Sequence, residues 1–132
     1  MTLPVADYAI AGRHHEFAIE RKSKVDLFGS MNNDEKRDNF ERRLTRMNRM
    51  GWSAVVVEAC WDEVINDPPE HTEFDPKCLY RTVIAWQQRF SRVHWWFCYS
   101  RDFAEVTTFR LLQRWYEDRP EGRIRAAANI IL

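Results

Sequence analysis

Four consecutive small or β-branched apolar residues, Ala54-Val55-Val56-Val57, lie between Ser53 and Glu58. A run of this kind has no polar side to offer water. It reads as a strand over residues 53–58 that is buried on both faces. Such a strand requires a sheet covered on each side. A second run, Val93-His94-Trp95-Trp96-Phe97-Cys98-Tyr99, reads in the same way and is expected to be a second buried strand.

Helix signals fall between these strands. Asn32-Asn33-Asp34-Glu35 supplies capping and acidic residues for a helix start. Phe40, Leu44 and Met47 follow at helical spacing as its buried stripe, and the helix is expected to run to about Met50, with Gly51 as its stop. Val25-Asp26-Leu27-Phe28 reads as a short helix before it. Trp61 to Ile65 reads as a helical turn ended by Asp67-Pro68-Pro69. Asp75-Pro76 opens a helix in the cap-then-proline pattern that reaches Phe90. Ser100 caps another, from Arg101 to Tyr116, with Phe103, Val106, Phe109 and Leu112 as a broad apolar side. Pro120-Glu121-Gly122 breaks it, and the apolar tail after Arg123 is expected to pack. Strands alternating with helices predict an α/β sandwich around a mixed sheet. At 132 residues the expectation is one domain, residues 1–132.

Composition sets limits on function. Apolar residues make up 45 % and exclude a disordered chain. No apolar stretch reaches the roughly 18 residues that a membrane helix needs. The N-terminus lacks a basic start followed by an apolar run, so no secretory leader is expected. Cys60, Cys78 and Cys98 are odd in number and form no Cys-x-x-Cys pair, which argues for an intracellular compartment and against a zinc knuckle. Cys98 reads as a buried small hydrophobe. Twenty basic residues balance twenty acidic ones. A nucleic-acid coat would be strongly basic, so any such partner must be met by local charge.

The N-terminal third carries the chemistry. Val5, Tyr8 and Ile10 mark a strand over residues 2–10, and residues 17–22 read as its return strand in a hairpin. With a loop of residues 11–16, Ile10 pairs with Phe17 and Asp7 falls opposite Glu20. Directly opposed carboxylates lie about 4.5–5.5 Å apart at Cβ and repel. A divalent cation between them reverses that penalty. Strand alternation puts Glu20 and Lys22 on one face with Ala9 and Ala18, whose small side chains leave room above the sheet. Tyr8, Ile10, Phe17 and Ile19 form the core face. Arg21 falls on the core side near the sheet end and is expected to pair with an acid, Glu58 being the candidate. An Asp…Glu-x-Lys set suits phosphodiester hydrolysis: the carboxylates hold one or two Mg2+ or Mn2+ ions, and the lysine orients water or stabilises developing charge. Asp26 can reach back to the metal's water shell or to Lys22. The plainer reading is an exposed strand with a Glu–Lys ion pair.

Leu3-Pro4-Val5-Ala6-Asp7-Tyr8, then Ile19-Glu20-Arg21-Lys22-Ser23 with Asp26-Leu27, then Gly29-Ser30-Met31-Asn32-Asn33, resembles the nuclease domain of the XPF/MUS81-type structure-specific endonucleases. Their signature is Gly-Asp, a gap, Glu-Arg-Lys, three residues and Asp. The resemblance implies a restriction-endonuclease-like fold: a mixed sheet flanked by helices. It implies cutting of branched or flapped DNA and single-strand/double-strand junctions with Mg2+ or Mn2+, by a homo- or heterodimer. By position, Asp7 and Glu20 would bind metal, Lys22 would be catalytic, and Arg21 and Asp26 would support the site. The implied location is nuclear in a eukaryote and cytoplasmic or nucleoid-associated in a prokaryote. Two departures stand out. Ala6 replaces the family's glycine, and the family's usual first strand, with its acidic residue, is expected to be lacking. The alternative is therefore a non-catalytic DNA-binding or scaffold subunit that pairs with an active partner.

The remaining features have plainer readings. Lys36, Arg37, Arg42, Arg43, Arg46 and Arg49 read first as a solvated helix laced with i,i+4 pairs, and second as a phosphate-contacting face lined by Arg42, Arg46 and Arg49. His14 and His15 read as polar loop residues. The six tryptophans read as core or interface rather than base-stacking platforms.

Overall fold

The computed structural model describes residues 16–120. The expected strand over residues 2–10, its loop and the apolar tail lie outside the described residues. So do Asp7, His14 and His15.

Within this range the elements run β1 (Phe17–Lys22), α1 (Lys24–Gly29), α2 (Asp34–Met47), β2 (Trp52–Val57), α3 (Trp61–Asn66), α4 (Pro76–Arg89), β3 (Val93–Phe97) and α5 (Arg101–Glu117). The three strands form one sheet in the order β1-β2-β3, parallel throughout. The antiparallel partner that would make the sheet mixed falls outside the described residues. The caps expected for α2, α4 and α5 are made, Ser23 caps α1 without having been anticipated, and α3 starts at Cys60 with no side-chain cap. The side chains of Ser23, Asn33, Asp75 and Ser100 accept from the backbone N–H groups of Asp26, Lys36, Lys77 and Phe103. The helix α2 ends earlier than expected, at Met47, with Asn48 as its C-cap. Gly51 instead lets the backbone enter β2 close to β1, where a Cβ would lie 3.2 Å from the Glu16 carbonyl.

Two apolar layers sandwich the sheet. Val55 and Val57 join Leu27, Phe40, Leu44, Val64, Leu79, Val83 and Trp86 from α1 to α4. On the other face Phe17, Ile19, Ala54 and Val56 meet Ala104 and Trp115 of α5. The strand β2 is thus central and buried on both sides, as its unbroken apolar run requires.

One expectation is corrected. The strand β3 is not buried on both faces: Val93 is buried, but His94 and Trp96 are exposed. It is an edge strand among the described residues, and Trp95 and Phe97 pack only on the α4 side. On α5 the sequence marks a broad apolar side without saying where it lies, and most of it is exposed. Phe103, Val106 and Phe109 are each at least half exposed, while Ala104, Thr108 and Trp115 face the sheet. The Thr108 hydroxyl, buried against the sheet, donates to the Ala104 carbonyl at 2.8 Å. Periodicity marks both stripes and does not say which one packs.

Candidate metal and phosphate site

In parallel α/β sheets, ligands are met at the carboxyl ends of the strands. Lys22 ends β1, and Glu58 follows β2 directly, its N–H donating to the Lys22 carbonyl at 2.8 Å. Ser100 and the start of α5 follow β3. The Glu-Arg-Lys run therefore ends where a site is expected.

Register divides the run between the two faces. Glu20 and Lys22 pair with Val55 and Val57, and so lie on the α2 side. Arg21 pairs with Val56 and lies on the α5 side. The expected partner of Arg21 is found: Nη2 donates to Glu58 Oε1 at 2.5 Å. Their side chains are 13 % and 20 % exposed, so the pair is largely shielded. Asp26, Arg101 and Glu105 surround it in a polar cavity of about 400 Å³.

The Glu20 face is less open than alternation alone suggests. Ala18 is covered by Met50. Glu20 is buried beneath α2, and its carboxylate accepts from Nη1 of Arg43. Space begins one pleat further along, at Lys22. There an open groove of about 360 Å³ runs between α1 and α2, lined by Lys22, Val25, Asp26, Gly29, Ser30, Lys36, Asn39, Phe40 and Arg43. Its charge is basic: Lys22, Lys36 and Arg43 stand against Asp26. This is local positive charge in a chain whose net charge is zero.

Lys22 is held in a fixed direction. Its ammonium donates to Ser30 Oγ at 3.1 Å and lies 4.7 Å from the centroid of the Phe40 ring. Ser30 Oγ donates in turn to the Asp26 carbonyl at 3.0 Å. The short helix α1 thus folds back to place a hydroxyl against the lysine. Ser30→Ala removes that contact while keeping the turn. The expected outcome is a stability loss of about 1 kcal/mol. If Lys22 acts in turnover, kcat falls about fivefold. Thermal melts and steady-state kinetics check both, and an unchanged kcat would leave Ser30 purely structural.

Asp26 is exposed and lines both the groove and the polar cavity. Of the residues expected from sequence, Glu20, Arg21, Lys22 and Asp26 are thus gathered at one end of the sheet, on two faces, while Asp7 lies outside the described residues. Sequence reasoning gave Ser30, Asn39 and Arg43 no place in the site. Arg43 was legible in retrospect, since it lies three residues after Phe40 and so beside the buried stripe. Arg42 bonds Asn39 on its own helix, as the first reading of this segment, a solvated helix laced with local pairs, would have it.

The oxygen donors suit a hard divalent ion. Mg2+ keeps most of its water and is held by one or two carboxylates. Asp26 offers an exposed carboxylate on the rim of the groove, whereas the Glu20 carboxylate is buried, lines neither cavity and is engaged by Arg43. No three metal-ligating side chains cluster among the described residues. No helix among them is long and apolar enough to cross a membrane.

Comparison with known proteins agrees with this architecture. The family model described as the ERCC4 domain matches residues 1–109. Among solved structures, XPF from Aeropyrum pernix superposes with a TM-score of 0.66 at 16 % identity, over 96 % of this chain and 56 % of that one. The chain thus spans little more than half of that structure, and at such identity the likeness is one of fold. No curated protein sequence matches.

Proposed function

Since the chain belongs to the ERCC4-domain family, the XPF/MUS81-type nuclease family, we propose that it is a Mg2+- or Mn2+-dependent DNA endonuclease acting at branched or flapped DNA. The observation that carries this reading is the placement of Lys22. A fixed ammonium at the strand end faces a basic groove, with the Glu20 carboxylate one pleat behind it. Glu20 and Asp26, with Asp7, would hold the cation. When bound, a divalent ion would polarise the phosphate and acidify a bound water toward attack. The chain's own residues do the rest. Lys36 and Lys22 draw the phosphodiester into the groove. Lys22 places its proton-donating ammonium against the charge that develops on the phosphate oxygens. The Arg21–Glu58 pair pins the ends of β1 and β2 together, so that Lys22 does not drift. The test is incubation of the chain with labelled flap, fork and duplex DNA. Cleavage with Mg2+ or Mn2+, preferring flap or fork, is the expected result. No cleavage with either metal would overturn the reading.

A dimer belongs to the same proposal. Trp96 on β3, an edge strand among the described residues, and Tyr99, Phe103, Val106 and Phe109 on or before α5 are large apolar side chains exposed to water. Phe103→Glu with Phe109→Glu is expected to convert a dimer to a monomer in sedimentation equilibrium, while the far-ultraviolet spectrum stays unchanged. A monomeric parent chain would remove this part.

A second reading, a non-catalytic DNA-binding or scaffold subunit, is favoured by one observation: Arg43 already engages the Glu20 carboxylate. It predicts DNA binding or pairing without cleavage, and no rise in Tm on adding Mn2+, whereas an intact metal site raises Tm.

A further inference from the structure

We infer that Arg43 is a positioning residue that keeps the cation seat on Glu20 and turns to a DNA phosphate when a divalent ion takes that seat. This rests on the nuclease reading above. It adds a coupling between metal and DNA binding that acts through one side chain.

The argument begins with burial. Glu20 is 4 % exposed at its side chain, beside Ala18 and below α2. A carboxylate so placed is costly without a cationic neighbour. The nitrogen Nη1 of Arg43 donates to Oε1 and supplies one. A divalent ion would need the same carboxylate. A guanidinium and a doubly charged ion on one carboxylate repel each other strongly at such range, so loading of the metal displaces Arg43.

Displacement is feasible because the pair is lopsided. The Arg43 side chain is 44 % exposed although its partner is not. Its guanidinium is reached by water and sits on a long, rotatable stem, so it can swing away once a divalent ion supplies the positive charge that buried Glu20 requires. The Arg21–Glu58 pair on the opposite face is shielded at both ends and is not poised in this way.

The same groove offers a destination. Arg43 lines it with Lys22 and Lys36. At Gly29, on the facing wall, a Cβ would meet nothing within 4 Å, so that wall leaves room for a backbone phosphate. A guanidinium fork matches phosphate oxygens better than a point charge does. DNA in the groove draws Arg43 away from Glu20, and metal on Glu20 releases Arg43 to DNA. By linkage each ligand then tightens the other.

The probe is Mn2+ itself, titrated calorimetrically into the whole 132-residue chain without DNA. The parent chain, Arg43→Ala, Arg43→Gln, Arg43→Lys and Glu20→Gln are compared, with circular dichroism as the check on folding. Removing the competing cation is expected to tighten Mn2+ binding about fivefold in Arg43→Ala. Arg43→Gln should tighten it as well. Arg43→Lys should stay near the parent value, and Glu20→Gln should lose binding. With flap DNA and saturating Mn2+, Arg43→Ala should raise KM with little change in kcat, and Arg43→Lys should restore most of KM. A purely structural Arg43 predicts the opposite sign, because Glu20 would lose its alignment. Unchanged or weaker Mn2+ affinity in both folded Ala and Gln variants would overturn the inference and leave the nuclease reading standing. A parent chain that takes up no Mn2+ would overturn both.

Discussion

On the proposed nuclease reading, Glu20→Gln is expected to abolish DNA cleavage while leaving the fold intact. The substitution keeps side-chain volume and a carbonyl oxygen that still accepts from the Arg43 guanidinium. It removes the negative charge that a divalent ion requires. Loss of the cation's anchor is expected to lower kcat by on the order of a thousandfold. Because the hydrogen bond to Arg43 is retained, stability should change by no more than about 1 kcal/mol. The measurement is single-turnover cleavage of flap DNA beside a thermal melt of the same preparation. Cleavage within tenfold of the parent at unchanged Tm would place the cation elsewhere. An equal fall in activity and Tm would make Glu20 a structural residue.

Trp86→Ala is expected to be the most damaging core substitution. Trp86 is 2 % exposed on the buried side of α4. Its ring stacks on Phe40 at 5.3 Å and on Trp95 at 6.0 Å, and its Nε1 donates to Glu41 at 3.1 Å. The indole thus ties α4 to α2 and to the edge strand at once. Truncation leaves a large cavity, strips Glu41 of a donor and costs about 3–5 kcal/mol. For a domain of this size the Tm should fall by about 10–15 °C. The site should feel the change, because Phe40, the neighbour of Trp86, also carries the ammonium of Lys22. Activity should therefore fall at moderate temperature and recover on cooling. A Tm within about 3 °C of the parent would show that α4 docks without the stack.

How much of this was legible in the chain varies with how local the cause is. Helix starts at Asn33, Asp75 and Ser100 were readable because an N-cap acts within a few residues of itself. The buried centre of the sheet was readable at Ala54-Val55-Val56-Val57, since only a doubly covered strand tolerates such a run. The Arg21–Glu58 contact was anticipated because strand parity limits where Arg21 can point. The exposure of Phe103, Val106 and Phe109 was not readable. A helix with apolar residues on two sides needs the sheet's position to decide which side packs. The half-exposed state of β3 failed for the same reason, because an edge and a centre can share one composition.

The Glu-Arg-Lys run shows both halves of this. The sequence by itself determined that Glu20 and Lys22 share a face and that Arg21 takes the other, because alternation in a strand is fixed by backbone geometry. It also supplied the acidic and basic residue types that the proposed anionic substrate and hard cation would need. The tertiary structure alone decided that α2 lies over Glu20, that Arg43 comes to its carboxylate, and that Ser30 comes to Lys22. Those contacts join residues 23 and 8 positions apart. They depend on how α1 and α2 return across the sheet, which is set by packing of Phe40, Leu44 and Met47 against the β2 valines rather than by any local rule.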